Sequence, residues 1–152
     1  MARWRDGWGE LVVGGEGGSR GEGGGGGGGG GGGEGVGGGE GEGGFQVVPL
    51  EIAASYRART RGLLGRDSVD GAMLLSPAGS VHTFRMRMPI DVAYLDRRLR
   101  VVAVRTMRPG RLGLPRLRSR HVLEAAAGAM EGWGLRAGVR VEVRVSSPCA
   151  GT

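Results

Sequence analysis

Few residues in this chain could do chemistry. Histidine occurs only at His82 and His121, and cysteine only at Cys149. His82 stands in the run VHTFRMRMPIDVAYLD, Val81 to Asp96, upstream of Asp91, and His121 and Glu124 have the spacing H-x-x-E. An imidazole beside a carboxylate is material for acid/base catalysis. The nucleophile would have to be Thr83, Ser119 or an activated water, and no Ser-His-Asp or Cys-His pattern accompanies them. Zinc wants three or four convergent His, Cys or carboxylate ligands. His121 and Glu124 would converge on a helix, but on a strand they point to opposite faces, so neither a metal nor another cofactor is expected. No residue is assigned as catalytic. The candidate set is one for recognition: His82, Thr83, Met86, Asp91, Glu124 and Arg61, around a cleft at the His82-Asp91 stretch.

The elements that must position this set are mostly β-type runs. Val81, Thr83 and Arg85 alternate with His82, Phe84 and Met86, so a strand there puts His82 on one face with Phe84 and Met86. An imidazole on an apolar face needs a partner. A structural histidine finds it in the backbone or Asp91, and a functional one finds it in a ligand. Ile90 to Leu95, a polar turn at Asp96-Arg97-Arg98, and Leu99 to Thr106 form a hairpin pattern. Asp91 opens its first strand, a place where a carboxylate caps a turn. Upstream, Phe45 to Ala53 is β-type, with Pro49 marking an edge strand or a break. Ser55 is an N-cap for a helix from Tyr56 to Leu64 that Gly65 stops, and Ala72 to Leu75 is short and wholly apolar, as a buried strand is. Downstream, Pro109 to Arg120 is a basic loop suited to docking a charged partner. His121 to Gly128 begins as a strand, Ala129 to Gly134 holds at most one helical turn, and Val139 to Val145 alternates valine with charge. Seven short β-type runs with one or two short helices predict a mainly β fold, a small antiparallel β-sandwich or barrel.

Glycine divides the chain, since 25 of its 36 glycines fall within residues 1–44. That stretch is predicted to be a disordered Gly/Glu-rich tail, too poor in apolar surface to offset the entropy of ordering it. Residues 45–146 are then the domain and 147–152 a frayed end. The first residues, MARWRDGWGELVV, lack the apolar run of a signal peptide or membrane span. They read as a short docking peptide around Trp4 and Trp8, or as a stretch upstream of the true start. A lone Cys149 allows no intrachain disulfide and fits a reducing cytoplasm.

The formal net charge is +6, and residues 45–152 alone carry 18 Arg against 8 acids. Such a field attracts phosphates, nucleic acid or anionic lipid. The chain has no Lys, however, so a coding bias toward Arg inflates this signal, and Phe45, Phe84 and Tyr94 are too few for a base-stacking platform. Nucleic acid is not the expected partner; an unidentified small ligand or protein is.

Several motifs resemble, in order and spacing, the pattern of domain-of-unknown-function family 192. They are Arg61-Gly62-Leu63-Leu64-Gly65-Arg66, Gly71-Ala72-Met73-Leu74-Leu75, His82-Thr83-Phe84-Arg85-Met86 with Met88-Pro89-Ile90-Asp91, Val122-Leu123-Glu124 with Gly128, and Leu135-Arg136-Ala137-Gly138. The resemblance covers about Val47 to Val145. The family's central motif carries a Trp before its Met and a Lys-Asn-Thr run after it, where this chain has His82-Thr83-Phe84 and Arg87-Met88; the family's Gly-Asp pair near the end is here Gly138-Val139. The resemblance therefore implies a divergent branch of a compact, mainly β family with no agreed activity. The expected function is noncatalytic binding. The alternatives are a hydrolase-type enzyme using His82 with Asp91 or Glu124, and weak nucleic-acid binding through the Arg-rich loops.

Overall fold

Among the described residues, seven strands and two short helices follow in the order β1 (Gly7–Val13), β2 (Gln46–Ala53), α1 (Tyr56–Arg61), β3 (Ala72–Leu75), β4 (Ile90–Leu95), β5 (Val101–Met107), β6 (His121–Ala126), α2 (Ala129–Gly132) and β7 (Val141–Val145). The structure is a computed structural model, and it describes residues 3–14 and 45–146. The expected mainly β fold with short helices is what the chain adopts. All strands join one sheet in the order β5-β4-β6-β3-β2-β1-β7. Every neighbouring pair is antiparallel except β2 with β3. The two outer strands meet at one end, where Arg100 bridges Arg140, Val101 N–H donates to Val139 O at 2.8 Å and Val141 N–H donates to Leu99 O at 2.9 Å. The sheet therefore curls toward a barrel.

Period-two patterning sorts the apolar side chains into two layers. Leu11, Val48, Leu50, Leu74, Leu95, Leu123 and Val141 form the layer inside the curl, closed by Met130 and Leu135. The opposite face of β3, β4 and β6 carries Met73, Leu75, Ile90, Val92, Tyr94 and Val122, covered by Leu63, Val81 and Met86 from the connecting segments. That covered outer face holds the site described below.

Local sequence explains most of the boundaries. Ser55 caps α1 as expected, its hydroxyl accepting from Ala58 N–H at 3.2 Å. The helix ends sooner than predicted, at Arg61, because Gly62 turns away with φ 45°. Pro49 is not on an edge strand: β2 lies between β1 and β3, and the proline stands just before the β3 ladder opens at Leu50 opposite Ala72.

One expected β run is missing from the sheet, and one strand joins it that sequence assigned to the tail. The Val81–Met86 run is not a strand of the sheet but a connecting segment with one bridge, His82 to Leu112, and a turn at Arg85, φ 61°. Conversely, Gly7–Val13, assigned by sequence to the tail, pairs along its whole length with β2 and shares a ladder with β7. The domain thus takes a strand from before the glycine run. Asp6 fastens its start, its Oδ1 accepting from Ala54 N–H at 2.6 Å and Ser55 N–H at 2.7 Å; hydrogen bonding with the Ser55 side chain, and then with these two N–H groups, holds its carboxyl below the usual range. The glycine run itself, and the C-terminal end with Cys149, lie outside the described residues.

Candidate functional site

Glu124 lies at the middle of β6, opposite Met73 on β3 and Val92 on β4. Its neighbours Leu123 and Ala125 turn into the curl, so alternation sends the carboxyl to the covered outer face. There it is 4% exposed. It lines a cavity of about 70 Å³ shared with Arg59, Arg61, Gly62, Leu63, Leu75, His82 and Met86. A water takes about 30 Å³ in the liquid, so this space admits a head group of a few non-hydrogen atoms.

Two features give the cavity its chemistry. Burial alone pushes the Glu124 carboxyl up to about 7, because a low-dielectric surrounding penalises the charged form. Its Oε2 has no hydrogen-bond partner among the described residues, and the same is true of the buried Nε of Arg59. Buried polar atoms in folded proteins nearly always have partners. One unpaired acceptor and one unpaired donor thus belong to residues that line a single cavity. Gly62 borders the carboxyl on a backbone with φ 45° that other residues adopt at a cost, while a Cβ there would meet Glu124 Oε2 at an ordinary contact of 3.4 Å.

The structure brings four of the six sequence candidates to this cavity: Arg61, His82, Met86 and Glu124. His82 is exposed and stacks on Phe84, ring centroids 5.4 Å apart and planes at 21°, as a shared face requires. Met86 departs from that face because the turn at Arg85 reverses the alternation, and it is buried.

The other two lie elsewhere. Thr83 is fully buried and staples a loop: its hydroxyl donates to Arg108 O at 2.6 Å and accepts from Arg111 N–H at 2.8 Å. Asp91 lies on β4 in the same alternation as Ala93 and Leu95, so it faces away from Glu124. It is 3% exposed, and accepts from Thr106 Oγ1 at 2.7 Å and from the N–H groups of Gly128 and Met130 at 2.9 and 3.2 Å. This is the capping role that its position predicts, made with a helix distant in sequence. His121 and Glu124 indeed fall on opposite faces of a strand; His121 Nδ1 pairs with Ser76 Oγ at 2.7 Å, and burial lowers its affinity for a proton.

Arg59, Leu63 and Ser80 line the cavity without having been singled out by sequence. Leu63 stands within one of the recognised motifs, whereas Arg59 looks in sequence like any arginine on an exposed helix. A wider concavity, an arginine-lined groove of about 490 Å³, lies beside β5. A third, of about 320 Å³, borders Asp91 and Glu131.

Comparison with known proteins agrees with this picture at the level of family and fold. The family model of DUF192, uncharacterized ACR, matches residues 39–143. A UPF0127 protein of Pyrococcus horikoshii is 33% identical over 87 residues, 54% of this chain and 76% of the relative. A UPF0127 protein of Pyrococcus abyssi is 30% identical over 98 residues, 61% of this chain and 84% of the relative. A crystal structure of a protein of unknown function from Novosphingobium aromaticivorans superposes with TM-score 0.59 at 21% identity, covering 65% of this chain and 77% of the other. One from Sinorhizobium meliloti, described as a candidate transcription regulator, superposes with TM-score 0.64 at 15% identity, covering 93% and 98%. At such identities the two structures speak for the fold alone.

Proposed function

The chain belongs to the DUF192 family, a family without an assigned activity, and we propose that it is a noncatalytic binding domain whose site is the Glu124 cavity. The ligand places a small polar head there, offering a hydrogen-bond donor to Glu124 Oε2 and an acceptor to Arg59 Nε. Carboxamides, hydroxy acids and amino-acid amides have such a head. The observation that carries this reading is the unpartnered Oε2 of a carboxyl 4% exposed. Leaving such an atom unpaired costs about 1–3 kcal/mol, and a ligand recovers that cost. His82 and Arg61 border the cavity and supply further contacts. Among the described residues no helix is long and apolar enough to cross a membrane, and we place the protein in the cytoplasm on the strength of its single cysteine.

A second reading, a hydrolase-type enzyme, draws on one observation: a carboxyl raised to about 7 lines the same cavity as a histidine, and such a group is suited to proton transfer at neutral pH.

A thermal-shift experiment on the full chain tests the proposal, with acetamide, glycolate and glycinamide as probes against the native protein and Glu124→Met. A ligand that binds only the folded state at a hundredfold excess over its Kd stabilises by about 2.7 kcal/mol. At least one probe is expected to raise the native midpoint and leave the variant's unchanged. Equal responses from both proteins would move the site elsewhere, and consumption of the probe, followed by NMR, would favour the enzyme.

A further inference from the structure

The groove of about 490 Å³ lies between the end of β5 and residues 108–116. Arg105, Arg108, Arg111 and Arg116 line it, and no acidic side chain does. Among the described residues none of these four makes an ion pair with an acid. The nearest acids by cavity, Asp91 and Glu131, border the adjoining depression that Arg105 shares, and Asp91 is committed to Thr106 and the start of α2. Arg116 packs its guanidinium 5.1 Å from the Tyr94 ring centroid, and its Nε is buried without a partner.

Arg105, Arg108 and Arg111 are exposed and Arg116 is half-buried, but the backbone that carries the last three is pinned. Thr83 holds the backbone of Arg108 and Arg111, Gly113 N–H donates to Val81 O at 2.8 Å, and Arg116 N–H donates to Gly79 O at 3.0 Å. At Gly113 there is no room for a side chain: a Cβ would stand 2.6 Å from the Tyr94 hydroxyl and 3.0 Å from Val81 O. A backbone fixed in this way sets where the arginine side chains leave the chain, and a concave surface of one sign concentrates its field on whatever enters. Guanidinium forks match phosphoryl and carboxylate oxygens. Four of them with no counter-charge suit a group carrying more than one negative charge, which favours phosphoryl. The groove is also lined by two apolar side chains, Leu112 66% and Leu114 78% exposed. The volume falls within the range of small-molecule sites, roughly 300–1,000 Å³.

We propose that this groove binds a soluble phosphorylated small molecule of nucleotide size, its phosphoryl oxygens held by Arg105, Arg108, Arg111 and Arg116 and its less polar part resting on Leu112 and Leu114. The site is separate from the Glu124 cavity, and the two share no lining residue.

Calorimetric titration of the full chain with ATP, pyrophosphate and inorganic phosphate tests this, beside co-sedimentation with phosphatidylcholine vesicles with and without phosphatidylglycerol. The informative variants are Arg108→Glu/Arg111→Glu and, as a control of equal charge, Arg97→Glu/Arg98→Glu in the exposed β4–β5 turn. ATP and pyrophosphate are expected to bind, more weakly as salt screens the groove, and the groove variant to lose about tenfold or more in affinity while the control changes by less than about twofold. Thermal midpoints establish that both variants are folded. Three results would each overturn the proposal: equal losses in both variants, capture by anionic vesicles without binding of ATP, or no binding at all. Glu124→Met should leave ATP affinity unchanged, so failure at one site is distinguishable from failure at the other.

Discussion

A carboxyl buried among Met73, Val92, Leu63 and Met86 trades solvation for position, and Glu124 makes that trade without a partner for Oε2. The consequence is a definite pH dependence. In the unfolded chain the group titrates near 4.5, and in the folded one near 7. Between those values the folded state holds the proton that the unfolded state has lost, so stability falls as pH rises through this window and levels off above it. At about 1.4 kcal/mol for each tenfold change in proton affinity, the fall is on the order of 3 kcal/mol. Glu124→Gln cannot ionise. It should match the native protein near pH 5 and exceed its stability at pH 8 by a few kcal/mol, read from urea denaturation at the two pH values; parallel curves would contradict a buried, raised Glu124. His82 and Asp91 show how far residue types alone can lead. Both stood out in sequence as polar groups near an apolar run, yet the period of β4 turns Asp91 into the curl while His82 lies on a connecting segment, and only His82 borders the Glu124 cavity.

At the scale of the elements, polar side chains join segments that the sheet does not. Asp91 ties β4 to β5 and to the start of α2, a helix of four residues that could not hold itself. Asp91→Ala leaves two backbone donors and a hydroxyl without their acceptor in a buried place, and we expect a loss of about 2–4 kcal/mol with the Glu124 cavity intact. Unchanged stability would deny the cap its role. Thr83→Val keeps the shape and removes the bonds to Arg108 and Arg111. It should lower stability by about 1–3 kcal/mol and speed amide exchange at Arg111 and Gly113, while exchange in β6 changes only with global stability. Strands β3, β4 and β7 and the cap of α1 were legible in sequence because local signals dictate them: a short apolar run, a hairpin, strict alternation, a serine before a helix. The Val81–Met86 run was not, because the same alternation marks a strand and an extended segment pinned by side chains. Arg85 at φ 61° is the point where they part.

For the whole molecule the decisive strand is β1. Leu11, Val12 and Val13 are at most 4% exposed, and burying three such side chains contributes roughly 5–9 kcal/mol as an upper figure, comparable to the stability of an entire domain. A chain beginning at Phe45 would leave β7 without its sheet neighbour and open the inner layer, and we expect it to show no cooperative thermal transition. Joining Gly14 to Phe45 by a four-residue turn should preserve the transition and add about 1–2 kcal/mol from the shorter loop closure. Their ends suit such a join, with Val13 paired to Gln46. A stable fold from residues 45–152 alone would refute the importance of β1. Sequence could not reveal this strand: its apolar residues number too few to stand out beside the glycine run, and their partners, Val48 and Val143, lie far along the chain. The most direct test of the Glu124 site is a titration of its side-chain carboxyl followed by carbon-13 NMR on the full chain. A midpoint near 7 that moves when a probe binds is what the account predicts. A midpoint near 4.5, indifferent to every probe, would mean that the carboxyl is solvated and that the cavity is not a site.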